Sequence, residues 1–363
     1  MSHTLAPPRR TKATSRTTPR GSRALRLFGD RLSLLVRPRL LMTVVVLVAL
    51  SAMVLAVSVA VGDYRIPLRA VPAAIIGHGE RLDVFFVQGV RLPRALTALG
   101  VGAALGISGA VFQSLSRNVL GSPDIIGFTS GAATGAVAVI LLLGASRLTV
   151  SLGAVAGGLL TAAVVYLLAM KNGVQGYRLV LVGIGVAAML GAVRDYLMTR
   201  SDLTDAMGAQ IWMIGSLHGR GWGEVAAVWI GLALLGPLLF ALGGRLRLME
   251  LGEDTAQGLG VPTRSTQLIA LAGASALTGA AIAVAGPIGF VALAAPQLAR
   301  RLTRTGTTLA GSALMGAALL VIADLVALRA LAPLQLPVGV VTAVIGGSYL
   351  IWLLYTEWRG QRA

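Results

Sequence analysis

Ten apolar stretches follow one another along this chain, near residues 40–61, 93–114, 125–144, 148–170, 179–199, 224–243, 266–286, 288–303, 308–330 and 338–356. A helix needs roughly 17–25 apolar residues to cross the hydrocarbon core of a bilayer. Inside lipid, every backbone N–H and C=O must be satisfied within the protein, so runs of this kind can only be helices. The pattern predicts an all-α membrane protein of about ten transmembrane helices, with both termini on one side. The run at 288–303 is short and contains Pro296, and its division from the preceding run rests on Gly286-Pro287. A water-soluble surface is excluded by supply: 12% of the residues are charged, against about 25% in soluble domains.

Charge placement orients the bundle. The first forty residues hold ten basic residues and one acid, Asp30, among many Pro, Ser and Thr. Residues 1–39 read as a disordered basic arm. Set in the cytoplasm, the arm leaves 21 Lys/Arg inside and 10 outside, in keeping with the positive-inside rule. The transmembrane domain is then 40–356, with 357–363 a cytoplasmic tail. The net charge of +17 is accounted for by this topology and by anionic lipid, not by nucleic acid.

Several chemistries are missing. There is no cysteine, and His3, His78 and His218 are scattered, so no metal site is expected. No GxxxxGK[ST] loop surrounds either lysine, Lys12 or Lys171, so ATP would have to be hydrolysed by another chain. The ionisable residues within the spans, Arg194, Asp195 and Asp324, lie near span ends, whereas a proton-coupled carrier usually places acids deep in its bundle. No paired-carboxylate or Ser/His/Asp constellation occurs, so an enzyme is not expected.

Two segments carry more detail. Arg91–Gly131 is a basic RLPR entrance, a Gly/Ala-rich run, a polar hinge and a second Gly-rich run. Small residues let helices approach closely where lipid supplies no hydrophobic drive, so a packed bundle is expected here. Residues 246–260, LRLMELGEDTAQGLG, place Leu248, Leu251, Thr255 and Leu259 on one side of a helix. Glu250, Glu253, Asp254 and Gln257 fall on another. The spacing predicts a short amphipathic helix, and its acidic face on the cytoplasmic side suits a protein partner.

These motifs carry a family resemblance. RLPR (91–94), GAALGISGAVFQSL (102–115), SPDIIGF (122–128), LRLMELGEDTAQGLGV (246–261), AGPIGFVALAAPQLARRL (285–302) and QLPVGVVTAVIGG (335–347) stand in order. The chain thereby resembles the FecCD-type permeases of bacterial ABC importers for iron–siderophore complexes, vitamin B12 and haem, and is similar above all to their ferric enterobactin branch. The resemblance implies a BtuC-like, ten-helix permease of the bacterial cytoplasmic (inner) membrane. Its implied partners are a second FecCD-type permease in a heterodimer, two cytoplasmic ATPase subunits, and an extracytoplasmic siderophore-binding protein. ATP and Mg would be bound on the partner subunits and no cofactor on this chain. A B12 or haem importer, a stand-alone secondary carrier and a non-transporting scaffold stay open as alternatives.

The resemblance also implies residue roles. Arg91, Arg94 and Arg329 would dock the binding protein, although the family's arginine position four residues after Asp324 holds Leu328 here. Glu250, Glu253, Asp254, Ala256 and Gly260, in a coupling loop at about 245–265, would meet the ATPase. Gln113, Asn118, Thr129 and Ser130 would line the path, with Gln175 and Gly176 at an inner gate. Two departures stand out: Asn118-Val119-Leu120 replaces the family's Asn-Pro-Leu, and Pro296-Gln297 replaces its Pro-His.

Overall fold

A computed structural model describes residues 23–27, 32–36 and 38–360, except 63, 125, 126, 145, 170–175, 305, 307 and 333. The main helices coincide with the apolar runs. They are α1 (Pro38–Ala60), α4 (Leu92–Ser116), α5 (Phe128–Leu143), α6 (Arg147–Ala169), α7 (Gly176–Arg200), α9 (Trp222–Met249), α11 (Thr263–Ala285), α12 (Val291–Thr303), α13 (Leu309–Arg329) and α14 (Val338–Gly360). Among the described residues, seven helices are long and apolar enough to cross a membrane, and two more, Phe128–Leu143 and Val338–Leu353, are apolar but shorter. The eighth run, 288–303, became α12, only 13 residues, or about 20 Å at 1.5 Å per residue. The protein is thus a multi-pass, helical membrane protein.

Helix α4 is the centre of the bundle. It packs on α9, α11, α12 and α13, and most of its length is buried. Its glycines explain why. Gly102 and Gly106 lie against the backbone of Gly316 and Ser312 of α13, and Gly109 lies against Ala292 of α12. A Cβ at any of the three would overlap a carbonyl of the facing helix. The same i, i+4 spacing joins α5 to α6 through Gly131 and Gly135 against Gly153 and Gly157, as expected where packing rather than hydrophobicity holds helices together. Ser108 adds a buried polar tie, its Oγ 3.0 Å from the Ala274 carbonyl oxygen and 2.5 Å from Thr278 Oγ1 of α11.

Three features differ from the sequence reading. Strands β1 (Arg23–Leu27) and β2 (Leu32–Val36) pair antiparallel within the expected arm, with Leu25 opposite Leu34 and Leu27 opposite Leu32. Leucine at every second position suits strand pleating, a local pattern that the arm's overall polarity obscures. Residues 1–22, 28–31 and 37 of the arm, and 361–363 of the tail, lie outside the described residues. Short helices α2 (Val71–Ile75), α3 (Arg81–Val84) and α8 (Leu203–Ile214) fill connections that periodicity did not mark. Finally, the predicted continuous helix over 246–260 is two pieces: α9 runs through Met249, and α10 covers Glu253–Gly258. Gly252 between them has φ +119°, a conformation open to glycine but strained for other residues.

Candidate functional site

Arg94 and Ser114 mark the two ends of α4, twenty residues and therefore about 30 Å apart. That is the thickness of a bilayer core. Each end carries a distinct polar assembly.

At the Arg94 end lies a cavity of about 750 Å³. Its described lining includes four arginines, Arg91, Arg94, Arg220 and Arg329, with one acid, Asp324, and His218. All three arginines expected to dock a partner therefore share one cavity. Leu328 and Arg329 both reach the wall, so the one-residue offset in α13 does not take the arginine away from it. A seven-residue π-helical stretch, Phe85–Arg91, leads into α4, and Phe86, Gly89, Val90 and Arg91 from it line the cavity. Such departures from the α-ladder are frequent at functional sites.

The arginines are not equivalent. Arg91 reaches across to the end of α1, where Nη1 donates to the Val59 and Ala60 carbonyls at 2.8 and 3.1 Å and Nη2 donates to Tyr64 O. The last carbonyls of a helix have no partner in the helix itself, and a cation there also suits its dipole. The guanidinium lies 5.6 Å from the Phe86 ring centre. Arg94 instead turns inward. Its Nε donates to both carboxylate oxygens of Asp324 at 3.1 and 3.0 Å, and Nη2 donates to Oδ1 at 2.8 Å. The side chains are 12% and 4% exposed. Bidentate guanidinium–carboxylate pairs are among the strongest side-chain hydrogen bonds. Arg94 therefore ties α4 to α13 while it stays part of the cavity wall. Asp324 is an acid within a span that is already paired.

At the other end, Ser114 Oγ donates to Glu250 Oε1 at 2.8 Å, fastening α4 to the segment that carries α10. Glu253 Oε1 accepts from Gln267 Nε2 of α11 at 3.1 Å, and Gln257 Nε2 donates to Thr263 Oγ1 at 2.8 Å. Ala256 is fully buried against Met249 and Val261. It anchors α10 from below. Asp254 and Gly260 are exposed, and Glu253 is half-buried. Leu251 and Leu259 are 67% and 60% exposed. They lie beyond the apolar stretch of α9, so lipid tails do not account for them.

The expected path residues separate. Gln113 is buried, and its Nε2 donates to the Leu293 carbonyl of α12 at 3.0 Å. Polar side chains in a bundle commonly serve such interhelical bonds. Asn118 is exposed and its Oδ1 accepts from Leu120 N at 2.9 Å, closing the turn after α4. Thr129 donates to Asp124 Oδ1, and Thr129 and Ser130 are half-buried. Burial pushes the Asp124 carboxyl above its ordinary value, and the Thr129 hydroxyl partly offsets this. Gln175 lies outside the described residues, and Gly176 is the first residue of α7.

The two family departures meet. Gln297 Nε2 donates to the Val119 carbonyl at 2.6 Å, and Gln297 Oε1 accepts from Tyr349 OH at 3.3 Å. An amide thus straps the turn that lacks its proline to α12 and α14. Proline would have fixed φ there; the bond restrains the turn by other means.

Arg220 was not singled out by sequence reasoning. It sits after α8 among residues without periodicity, and no motif flags it. The pairing of Arg94 with Asp324 spans 230 residues and could not be read from spacing.

The FecCD transport family matches residues 44–356. The chain is 44% identical over 324 residues to the ferric enterobactin transport system permease protein FepG of Escherichia coli (strain K12), covering 88% of this chain and 98% of that one. It is 37% identical to the Fe(3+)-citrate import system permease protein YfmE of Bacillus subtilis (strain 168), covering 89% and 97%. A solved metal-chelate type ABC transporter in an inward-facing conformation superposes with TM-score 0.77 at 30% identity, over 87% of this chain and 99% of that one. The motifs, the α4-centred bundle and these matches agree: the chain belongs to the FecCD transport family and has a BtuC-like permease fold.

Proposed function

We propose that this chain is one permease subunit of an ATP-driven importer of ferric siderophore complexes in a bacterial cytoplasmic membrane. The observation that carries the reading is the near-complete match to a ferric enterobactin permease. The two-ended construction of α4 fits it. With the α10 end in the cytoplasm, as the basic arm favours, the arginine cavity opens on the outer side. A binding protein would present acidic side chains to that cavity. Two ATPase subunits would bind ATP and Mg and engage α10 through Asp254, Glu253 and the exposed Leu251 and Leu259. ATP use belongs to those subunits, since this chain carries no phosphate loop.

The path would run between this chain and a second, related permease. Helix α7 supports that arrangement. It is exposed along most of its length, yet it carries Arg194 and Asp195, whose Nε and Oδ1 lie 3.6 Å apart. Charges of this kind face water or protein rather than lipid. A secondary-carrier reading is disfavoured by Asp324, which is committed to Arg94.

The docking assignment is tested by Arg329→Glu. A reversed charge at the rim mainly affects encounter and register. Binding-protein-stimulated ATPase activity should fall about fivefold or more at low ionic strength, and less at high salt, which screens over about 8 Å or less. Stimulation equal to the wild type at low salt would remove Arg329 from the docking surface.

A further inference from the structure

We propose that Asp324 governs the strength of the outer docking cavity: by holding Arg94, it keeps the attraction for an acidic partner low enough for release. The inference rests on the docking reading above and concerns a residue that reading does not use. Asp324 is the carboxylate among the described lining residues of the arginine cavity. That carboxylate takes three hydrogen bonds from a single guanidinium, Arg94. Both groups are nearly enclosed, yet both still form part of the cavity wall. The charge of Arg94 is therefore largely cancelled in the place where an incoming carboxylate would arrive. Arg94 also keeps a fixed position, because its bonds to Asp324 span α4 and α13 in a bidentate geometry that a guanidinium holds rigidly.

An importer has to let its binding protein go in every cycle. Affinity differences between variants of one interface appear mostly in dissociation rates. A cavity in which the Arg94 guanidinium lacked Asp324 would hold an acidic side chain longer. Asp324 is thus a positioning residue: it acts through Arg94 and need not touch the partner. On this view the aspartate serves as an internal stand-in for the carboxylate that the binding protein presents.

The test uses the assembled transporter in lipid nanodiscs and its cognate siderophore-binding protein, loaded with a ferric tris-catecholate. Binding and release rates are followed at low and moderate salt. Asp324→Asn should slow release about fivefold or more, steepen the salt dependence and lower uptake per ATP-driven cycle. Arg94→Gln should weaken binding, since Asp324 then faces the cavity unpaired. The double variant R94Q/D324N restores the net charge and should return release to within about twofold of wild type, an outcome that simple loosening of the helices would not give. Release unchanged in D324N, or slowed equally in the double variant, overturns the role of Asp324. If D324N does not assemble, binding by R94Q equal to wild type overturns it just as well. Arg329→Glu serves as the control for the underlying reading. If it weakens binding while the Asp324 variants do nothing, only the governing role fails; if it too does nothing, the docking cavity itself is wrong.

Discussion

A leucine in place of Gly106 is expected to leave little folded permease to purify. The backbone of α4 at this position rests on the Ser312 carbonyl of α13, and one turn away Gly102 rests on Gly316. A side chain there meets backbone rather than a flexible neighbour, so the helices themselves must part. Helix α13 has little freedom to yield, because α1, α12 and α14 pack on it as well. Extra methylenes in a packed interior cost about 1–3 kcal/mol and occasionally more, and proteins are stable by only about 5–15 kcal/mol. Separating α4 from α13 would also stretch the Arg94–Asp324 pair, and leaving a buried charge without its partner costs about 3–5 kcal/mol. Size-exclusion profiles and melting of the detergent-solubilised protein read the effect. Gly106→Leu should give aggregate or no protein, while Gly106→Ala should survive with a lowered melting temperature. A monodisperse leucine variant that melts like the wild type would mean that α4 and α13 do not approach this closely.

The second large effect is expected from reversing the charges of α10. In the double variant Glu253→Arg and Asp254→Arg, uptake should fall at least about tenfold, with the permease still folded. Asp254 is exposed, and Glu253 accepts an internal bond from Gln267. Losing that bond costs on the order of 1 kcal/mol, too little to unfold a bundle held by α4. Like charges brought together across an interface cost several kcal/mol, enough to prevent the ATPase from engaging. The exposed Leu251 and Leu259 would still offer apolar area, so charge reversal tests the acidic face separately from them. The check is co-purification with the ATPase subunit beside the melting temperature of the permease. Normal co-purification and uptake would take the coupling role away from α10; a collapsed melting temperature would show that Glu253 is structural.

The spans were legible because lipid imposes a simple length rule, and even the short run at 288–303 emerged as a helix. The close crossings were legible as well: Gly102, Gly106 and Gly109 announced small-residue packing, and the structure sets them against α13 and α12. What sequence could not give was direction. Arg91 and Arg94 sit in one RLPR motif, yet one caps α1 and the other turns to Asp324, a choice made by helices far away in sequence. The bond from Gln113 to α12 could not be read from its polarity. The leucine and acidic spacing across 246–260 continued through Gly252, so periodicity hid a break that positive φ at that glycine creates. Ala256 carried no sign that it would face inward.

The central claim is that this chain forms half of a path driven by ATP on other subunits. It is tested most directly by iron-55 siderophore uptake into proteoliposomes containing the two permeases and the ATPase subunits, with loaded binding protein on the outside. Uptake should require ATP and Mg inside, require the binding protein outside, and stop when the ATPase subunit carries an inactive phosphate loop. Accumulation by this chain alone, driven by a proton gradient without ATP, would contradict the account.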